Sequence, residues 1–282
     1  MATEHRARPS PPFFASLVTA GTFLLLYIPL FVLVTYSFVQ TDLDGNSSFT
    51  WNWYYEAVAD SSLQQALWMS LMVGVWSTLG ATLLGTTAAL ALERTDFPGK
   101  KIFDALTLVP LIVPEIVMAL SLLIWFVILK ISLGGISIVL AHITFSFSYV
   151  IITVRTRLAD FDHSLEEAAR DLGATPWKTF WKVTFPLIWP GILSGALMAF
   201  TLSFDDFLIT FFTAGVGSDT LPVKLYSMIK FGISPKINAL STLILLATAL
   251  LVLMIFRPKR SMKTISKESG ETSVPDALKA LG

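Results

Sequence analysis

The 282 residues carry 20 Lys and Arg against 20 Asp and Glu, with 54% hydrophobic residues, 14% charged residues and a mean hydropathy of +0.68. Such a chain is too apolar for an ordinary water-soluble domain and must place much of its surface in lipid. The absence of cysteine excludes a disulfide framework and a thiolate metal site.

After a proline-containing tail (1–12), six apolar stretches are long enough to cross a bilayer core of about 30 Å as helices. The first, about Phe13 to Phe38, follows Arg6 and Arg8 in the manner of a secretory signal. Its 26 residues exceed a signal core and no small-residue cleavage site closes it, so it is read as a retained span. The loop from Val39 to Gln65 has four acids (Asp42, Asp44, Glu56, Asp60), no Lys or Arg, and too few residues for an independent core, so short helices and turns are expected there. The second span runs from about Ala66 to Leu92 and the third from about Ile102 to Leu129. Within the third, Pro110 and Pro114 free backbone carbonyls and favour a broken helix, with Glu115 directly behind the break. The fourth span is expected from about Ile136 to Val154, with His142 in or beside it. His5, His142 and His163 are too scattered for a metal site, so structural roles and no metal are expected.

A hairpin, 164–186, follows. Ser164 and Glu167 have capping-box spacing, Glu166 and Glu167 put negative charge at a helix N-terminus, and Gly173 suits a left-handed C-terminal cap, which predicts a helix from about Leu165 to Leu172. Thr175-Pro176 restarts a helix, and Trp177, Phe180, Trp181 and Thr184 recur at helical spacing, so a second short helix is expected from about Pro176 to Phe185.

The fifth span is expected from about Leu187 to Phe212 and contains Asp205-Asp206. An aspartate at a span centre costs about 2.5 to 3.5 kcal/mol on insertion scales, so neither is expected to face lipid. On a continuous helix Ser203, Asp206, Thr210 and Thr213 fall within roughly 80° of arc, with Asp205 about 100° away. Asp206 is therefore expected to line a pathway and Asp205 to contact a neighbouring helix; Glu115 is the further pathway candidate. Carboxylates along a path suit a cation, and Trp125, Phe145, Phe147, Tyr149 or Phe204 could each add about 0.5 to 2 kcal/mol of cation–π attraction where desolvated. The sixth span is expected from about Asn238 to Phe256, and the polar tail 261–282 is expected to be disordered. With the N-terminus inside, 16 of the 20 Lys and Arg fall on cytoplasmic segments. This positive-inside bias puts both termini and the hairpin in the cytoplasm.

The hairpin also carries a spacing pattern: Glu167-Ala168-Ala169, three residues, Gly173, nine residues, Val183, one residue, Phe185-Pro186. It resembles the coupling loop of the permease subunits of ATP-binding-cassette importers, with Val183 and Phe185 replacing the family's Ile and Leu. Further segments, Trp53-Tyr54, Pro114 to Met118, Ala141 to Phe145, Glu166 to Thr175, Phe200 to Asp206 and Leu221 to Leu240, resemble the second, C-type permease of spermidine/putrescine importers. Lys236 departs from the acid expected before Ile-Asn-Ala-Leu in many such relatives. The resemblance implies an all-α integral membrane bundle of the type I importer permease fold, with the permease domain over 13–260. It implies a homologous partner permease, two ATPase subunits and an extracytoplasmic substrate-binding protein in a bacterial inner membrane. It further implies Glu167, Ala168, Ala169, Asp171, Gly173 and Pro186 as the ATPase-coupling residues.

No phosphate-binding loop is present: the sole Gly-Lys pair, Gly99-Lys100, is followed by Lys101 and has Arg94 where the first glycine should stand. No cofactor of the chain's own is expected, ATP and Mg belonging to the partner ATPase. Three other readings contrast with this one. A permease for another small organic solute would share the hairpin; a stand-alone secondary transporter would share the spans and buried acids but need no hairpin. An intramembrane aspartyl protease needs two facing carboxylates, whereas Asp205 and Asp206 diverge by about 100° on one helix.

Overall fold

The computed structural model describes residues 13–42, 44, 46–232 and 234–255. The two expected tails, 1–12 and 261–282, lie outside the described residues. In chain order come α1 (Phe13–Tyr36), an antiparallel pair of β1 (Val39–Thr41) and β2 (Ser47–Phe49), α2 (Asn52–Ala59) and α3 (Ser61–Arg94). They are followed by α4 (Lys100–Thr107), α5 (Val109–Ile112), α6 (Glu115–Ile128), α7 (Gly135–Ala159) and α8 (Ser164–Asp171). Then α9 (Pro176–Thr179), a π-helical turn (Phe180–Thr184) and α10 (Phe185–Asp205) run on as one 30-residue helix, before α11 (Leu208–Thr213), α12 (Leu221–Phe231) and α13 (Pro235–Ile255). Contacts divide the chain after Leu240; in the second unit, residues 241–255 continue as apolar helix, with Thr248 Oγ1 donating to Ile244 O at 2.8 Å.

Each of the six predicted apolar segments is helical over most of its length. Among the described residues, Phe13–Tyr36, Ser61–Arg94, Gly135–Ala159 and Pro176–Asp205 are individually long and apolar enough to cross a membrane. The third segment is broken as its prolines demand: Lys100–Ile112 and Glu115–Ile128 meet at 112°, with Val113 extended before Pro114. The chain is a multi-pass membrane protein. None of α1 is buried, so its apolar surface needs lipid or another protein to cover it.

Three helices make the main core. Along α3 the buried side is mostly small (Ala66, Ser70, Gly74, Ser77, Ala81, Gly85, Ala89), which lets the backbones of α7 and α10 come close. A Cβ on Gly85 would stand 2.7 Å from Val150 Cβ, closer than carbon atoms tolerate. Val150, Ile151, Val154, Ile188 and Ala199 close this cluster; Met118, Ala119, Phe126, Ala141 and Ile209 form a second one among α6, α7 and α11.

The first loop contains an expected short helix, α2, and adds an unexpected β hairpin, in which Val39 pairs with Phe49 and Phe38 stacks on Phe49 at 5.3 Å. The second span also starts earlier than hydropathy suggests, because Asp60 caps α3: Oδ1 accepts from Ser62 N at 2.8 Å and Leu63 N at 3.3 Å. At 34 residues α3 is about 51 Å long and outreaches the hydrocarbon core. Asp60 also pairs with Lys236, and this pair, with Ser62 next, holds its carboxyl well below the usual carboxylate range. Since the folded pKa is depressed, its contribution is complete above about pH 4 and is lost only as pH falls through the depressed value. Asp60→Ala is expected to fray the start of α3 and cost about 1–2 kcal/mol, as a lower unfolding midpoint in detergent that does not vary between about pH 5 and 8.

Candidate functional site

The sequence-selected residues fall in two places. The first is the hairpin formed by α8 and α9. Its opening turn is capped by Asp162, whose Oδ1 accepts from Ser164 N at 2.9 Å, instead of by the expected Ser164–Glu167 box. Asp162 sits two residues before Ser164, the first helical residue, with its carboxylate already on the free amide. The Ser164 hydroxyl and amide hold the Asp162 carboxyl below its ordinary range. At the far end Gly173 has φ +84°, and its N–H donates to Arg170 O at 2.8 Å while Ala174 N–H donates to Ala169 O at 3.0 Å, the left-handed cap that the glycine predicts.

Thr175 then caps α9, accepting from Lys178 N at 3.4 Å. The second helix does not stop at Phe185 as expected. A π turn carries it into α10, with Trp177, Trp181, Phe185 and Trp189 in edge-on and tilted ring contact along one side at 5.7, 4.9 and 5.5 Å. Of the expected coupling residues, Glu167, Ala168, Asp171, Gly173 and Pro186 are exposed and Ala169 is half-buried. Leu172 is 90% exposed and Trp177 71%, an apolar, exposed rim on the hairpin.

Glu166, which the motif does not single out, turns inward and is the buried residue of α8. Its Oε1 receives Arg94 Nη2 at 2.6 Å and the Thr184 hydroxyl. Burial alone would raise its pKa; Thr184 and Arg94 outweigh burial and hold it below the ordinary value. No local spacing reveals this residue, since its ion-pair partner is 72 positions away. Nearby, Arg155 of α7 bridges Glu93 and Asp104, which fastens the end of α3 to α4.

The second place is a break in the fifth apolar segment. The wheel reading assumed one helix to Phe212, but α10 ends at Asp205 and Asp206 takes an extended backbone (φ −64°, ψ 128°). The side chain of Asp206 is the reason. Its oxygens accept from Thr210 N at 2.8 Å, Thr210 Oγ1 at 2.8 Å and Ile209 N at 3.3 Å, starting α11.

His142 completes the arrangement, with Nε2 3.1 Å from Asp206 Oδ2 and Nδ1 2.6 Å from Ser203 Oγ, which in turn receives Ser77 Oγ at 2.9 Å. One placement of hydrogens satisfies this chain: Ser77 donates to Ser203, Ser203 to Nδ1, and Nε2–H to the carboxylate. His142 is 1% exposed and Asp206 6%. Asp206 is thus held inside the bundle. Asp205 and Glu115 are the exposed acids, and the carboxyls of Glu115 and Asp206 lie within interaction range of each other. The stripe of Ser203, Asp206 and Thr210 does converge, but on His142, which the sequence reading left in a bland role. Among the aromatic candidates, Phe147 and Phe145 pack on the two apolar clusters and Phe145 meets Tyr149 edge-on at 5.3 Å.

Residues 81–258, which include the hairpin and the break, match the family described as binding-protein-dependent transport system inner membrane component. The chain is 42% identical over 231 residues to the putrescine transport system permease protein PotI of Escherichia coli K12, covering 79% of this chain and 82% of that protein. It is 41% identical over 229 residues to the spermidine/putrescine transport system permease protein PotC of the same strain, covering 81% and 87%. Among solved structures, a chain of a bacterial ABC transporter involved in the import of the acidic polysaccharide alginate aligns with TM-score 0.67 at 14% identity, over 90% of this chain and all of that one. An amino acid ABC transporter chain aligns at 0.55 and 19% identity, over 74% of this chain and 99% of that one. The chain has the type I ABC importer permease fold and belongs to the family of binding-protein-dependent transport system inner membrane components.

Proposed function

We propose that this chain is the permease subunit of an ATP-driven importer for polyamines. The observation that carries the cation reading is the break in the fifth apolar segment, where the exposed acids Asp205 and Glu115 stand beside the buried Asp206 in a lipid-embedded protein. Polyamines are the substrates named for relatives at 41–42% identity. Glu115 and Asp205 meet the cation, and Asp206, fixed by His142 and Thr210, holds the broken helix open beside them.

The hairpin lies in the cytoplasm of a bacterial cell with both termini on the same side, a reading that the basic-residue bias supports. There Glu167, Ala168, Ala169, Asp171, Gly173 and Pro186, with Leu172 and Trp177, dock into one of two ATPase subunits, which hold ATP and Mg. A homologous permease shares the path in the inner membrane, and an external binding protein delivers the solute. Closure of the ATPases on ATP moves the hairpin and rocks the spans between inward-facing and outward-facing states.

The fold alone does not choose the solute, since alginate and amino acid transporters share it, and a permease for another small organic solute is the second reading. Uptake of labelled spermidine in cells carrying the whole transport system tests the choice. Unlabelled spermidine and putrescine are expected to compete, while amino acids and organic anions are not; competition by the latter alone would replace the polyamine reading with the second one.

A further inference from the structure

We propose that Glu166 is the positioning residue through which movement of the hairpin reaches the bundle, a proposal that rests on the hairpin being the element gripped by the ATPase. The surroundings of α8 carry the argument. Leu165, Glu167, Ala168, Arg170 and Asp171 are exposed, and Ala169 is half-buried. Glu166 alone of the α8 side chains is buried, at 7% exposure, and it is charged.

Its single carboxylate joins three segments. Arg94, bonded at 2.6 Å, is the last residue of α3, and that helix carries the small-residue face on which α7 and α10 pack. Thr184 is the last residue of the π turn, immediately before α10 begins. The Arg94 guanidinium also lies over the Phe161 ring, 5.8 Å from its centroid, so the chain leading into α8 closes on the same node. Charge-assisted hydrogen bonds are roughly twice as strong as neutral ones, and this one is partly shielded from screening, with the carboxylate 9% and the guanidinium 25% exposed. A push on α8 is therefore delivered at once to the ends of α3 and α10. Glu167 and the exposed rim can serve as the grip, while Glu166 serves as the linkage.

The test uses the complete importer, with both permeases, the ATPases and the binding protein, reconstituted in proteoliposomes. ATP hydrolysis, solute uptake and ATPase co-purification are measured together. Glu166→Gln is expected to keep the ATPase bound and hydrolysing while solute moved per ATP falls about tenfold, the effect of losing one charge-assisted bond. Arg94→Glu is expected to behave likewise, and the double variant Arg94→Glu with Glu166→Arg to restore most of the ratio. An unchanged ratio in Glu166→Gln overturns the proposal. So does loss of the ATPase from Glu166→Gln and the double variant alike, since the node would then hold the docking surface together without transmitting anything. Should the unsubstituted chain fail to retain an ATPase, the hairpin reading itself is wrong and the linkage falls with it.

Discussion

Gly173→Pro is expected to abolish uptake while the chain still inserts into the membrane. Proline locks φ near −65°, whereas Gly173 sits at +84°, and the substitution also deletes the N–H that bonds Arg170 O at 2.8 Å. The combined local cost is about 3 kcal/mol or more, taken where the hairpin turns and remote from the α3, α7 and α10 core. Gly173→Ala is the control: no atom lies within 4 Å of the added Cβ, so only left-handed strain of about 1–2 kcal/mol remains, and uptake is reduced without being lost. Glu167→Lys, an exposed charge reversal, is expected to match Gly173→Pro in uptake with ATP hydrolysis no longer tied to transport. Membrane-fraction blots, uptake and ATPase rates on the three variants check this; wild-type uptake by Gly173→Pro would remove the hairpin from the mechanism.

Asp206→Asn is expected to lower polyamine uptake about tenfold or more, a loss of ~1.4 kcal/mol or above, with assembly largely preserved. The amide oxygen can stay at the Oδ2 position, where Thr210 N–H, the Thr210 hydroxyl and His142 Nε2 all meet it, but the substitution removes the charge beside Glu115 and sets an NH2 group against Ile209 N–H. Asp206→Ala is harsher: the buried Thr210 and Ile209 N–H groups lose their acceptor, at about 1–3 kcal/mol for each unsatisfied group, while His142 Nε2 keeps the Thr210 hydroxyl at 3.0 Å. That variant is expected to reduce the amount of assembled importer as well as its rate. Quantifying co-purified subunits alongside initial uptake rates separates the two effects, and unaltered kinetics in Asp206→Asn would remove Asp206 from its role of holding the break beside Glu115 and Asp205.

Hydropathy and the two prolines made the spans legible, including the broken third one, because length in lipid and a missing amide are local properties. The cap at Gly173 and the restart at Thr175-Pro176 were legible for the same reason. The break at Asp206 was not: the apolar run continues to Phe212, and the interruption depends on a carboxylate preferring the Thr210 amide to solvent. His142 meets Ser203 and Asp206 across 61 and 64 positions, a juxtaposition that no spacing rule contains. Motif reading placed the weight on Glu167, yet helix rotation aims its neighbour Glu166 into the fold. Roles that depend on which way adjacent identical residues point require the packed helices.

The wide turn at Phe180–Thr184 has a geometric consequence. Five-residue closure spends one more residue than an α-turn needs, and each α-helical residue advances the side-chain azimuth by about 100°. The rod from Pro176 to Asp205 therefore carries a phase slip between its two ends. The row of aromatic rings and the wall that faces α3 and α7 have different angular origins, and Thr184, the last residue of the turn, meets the Glu166 carboxylate on a neighbouring arm. Winding the turn tighter or looser would re-index one end against the other without unfolding either, a dial-like adjustment that a uniform helix does not possess.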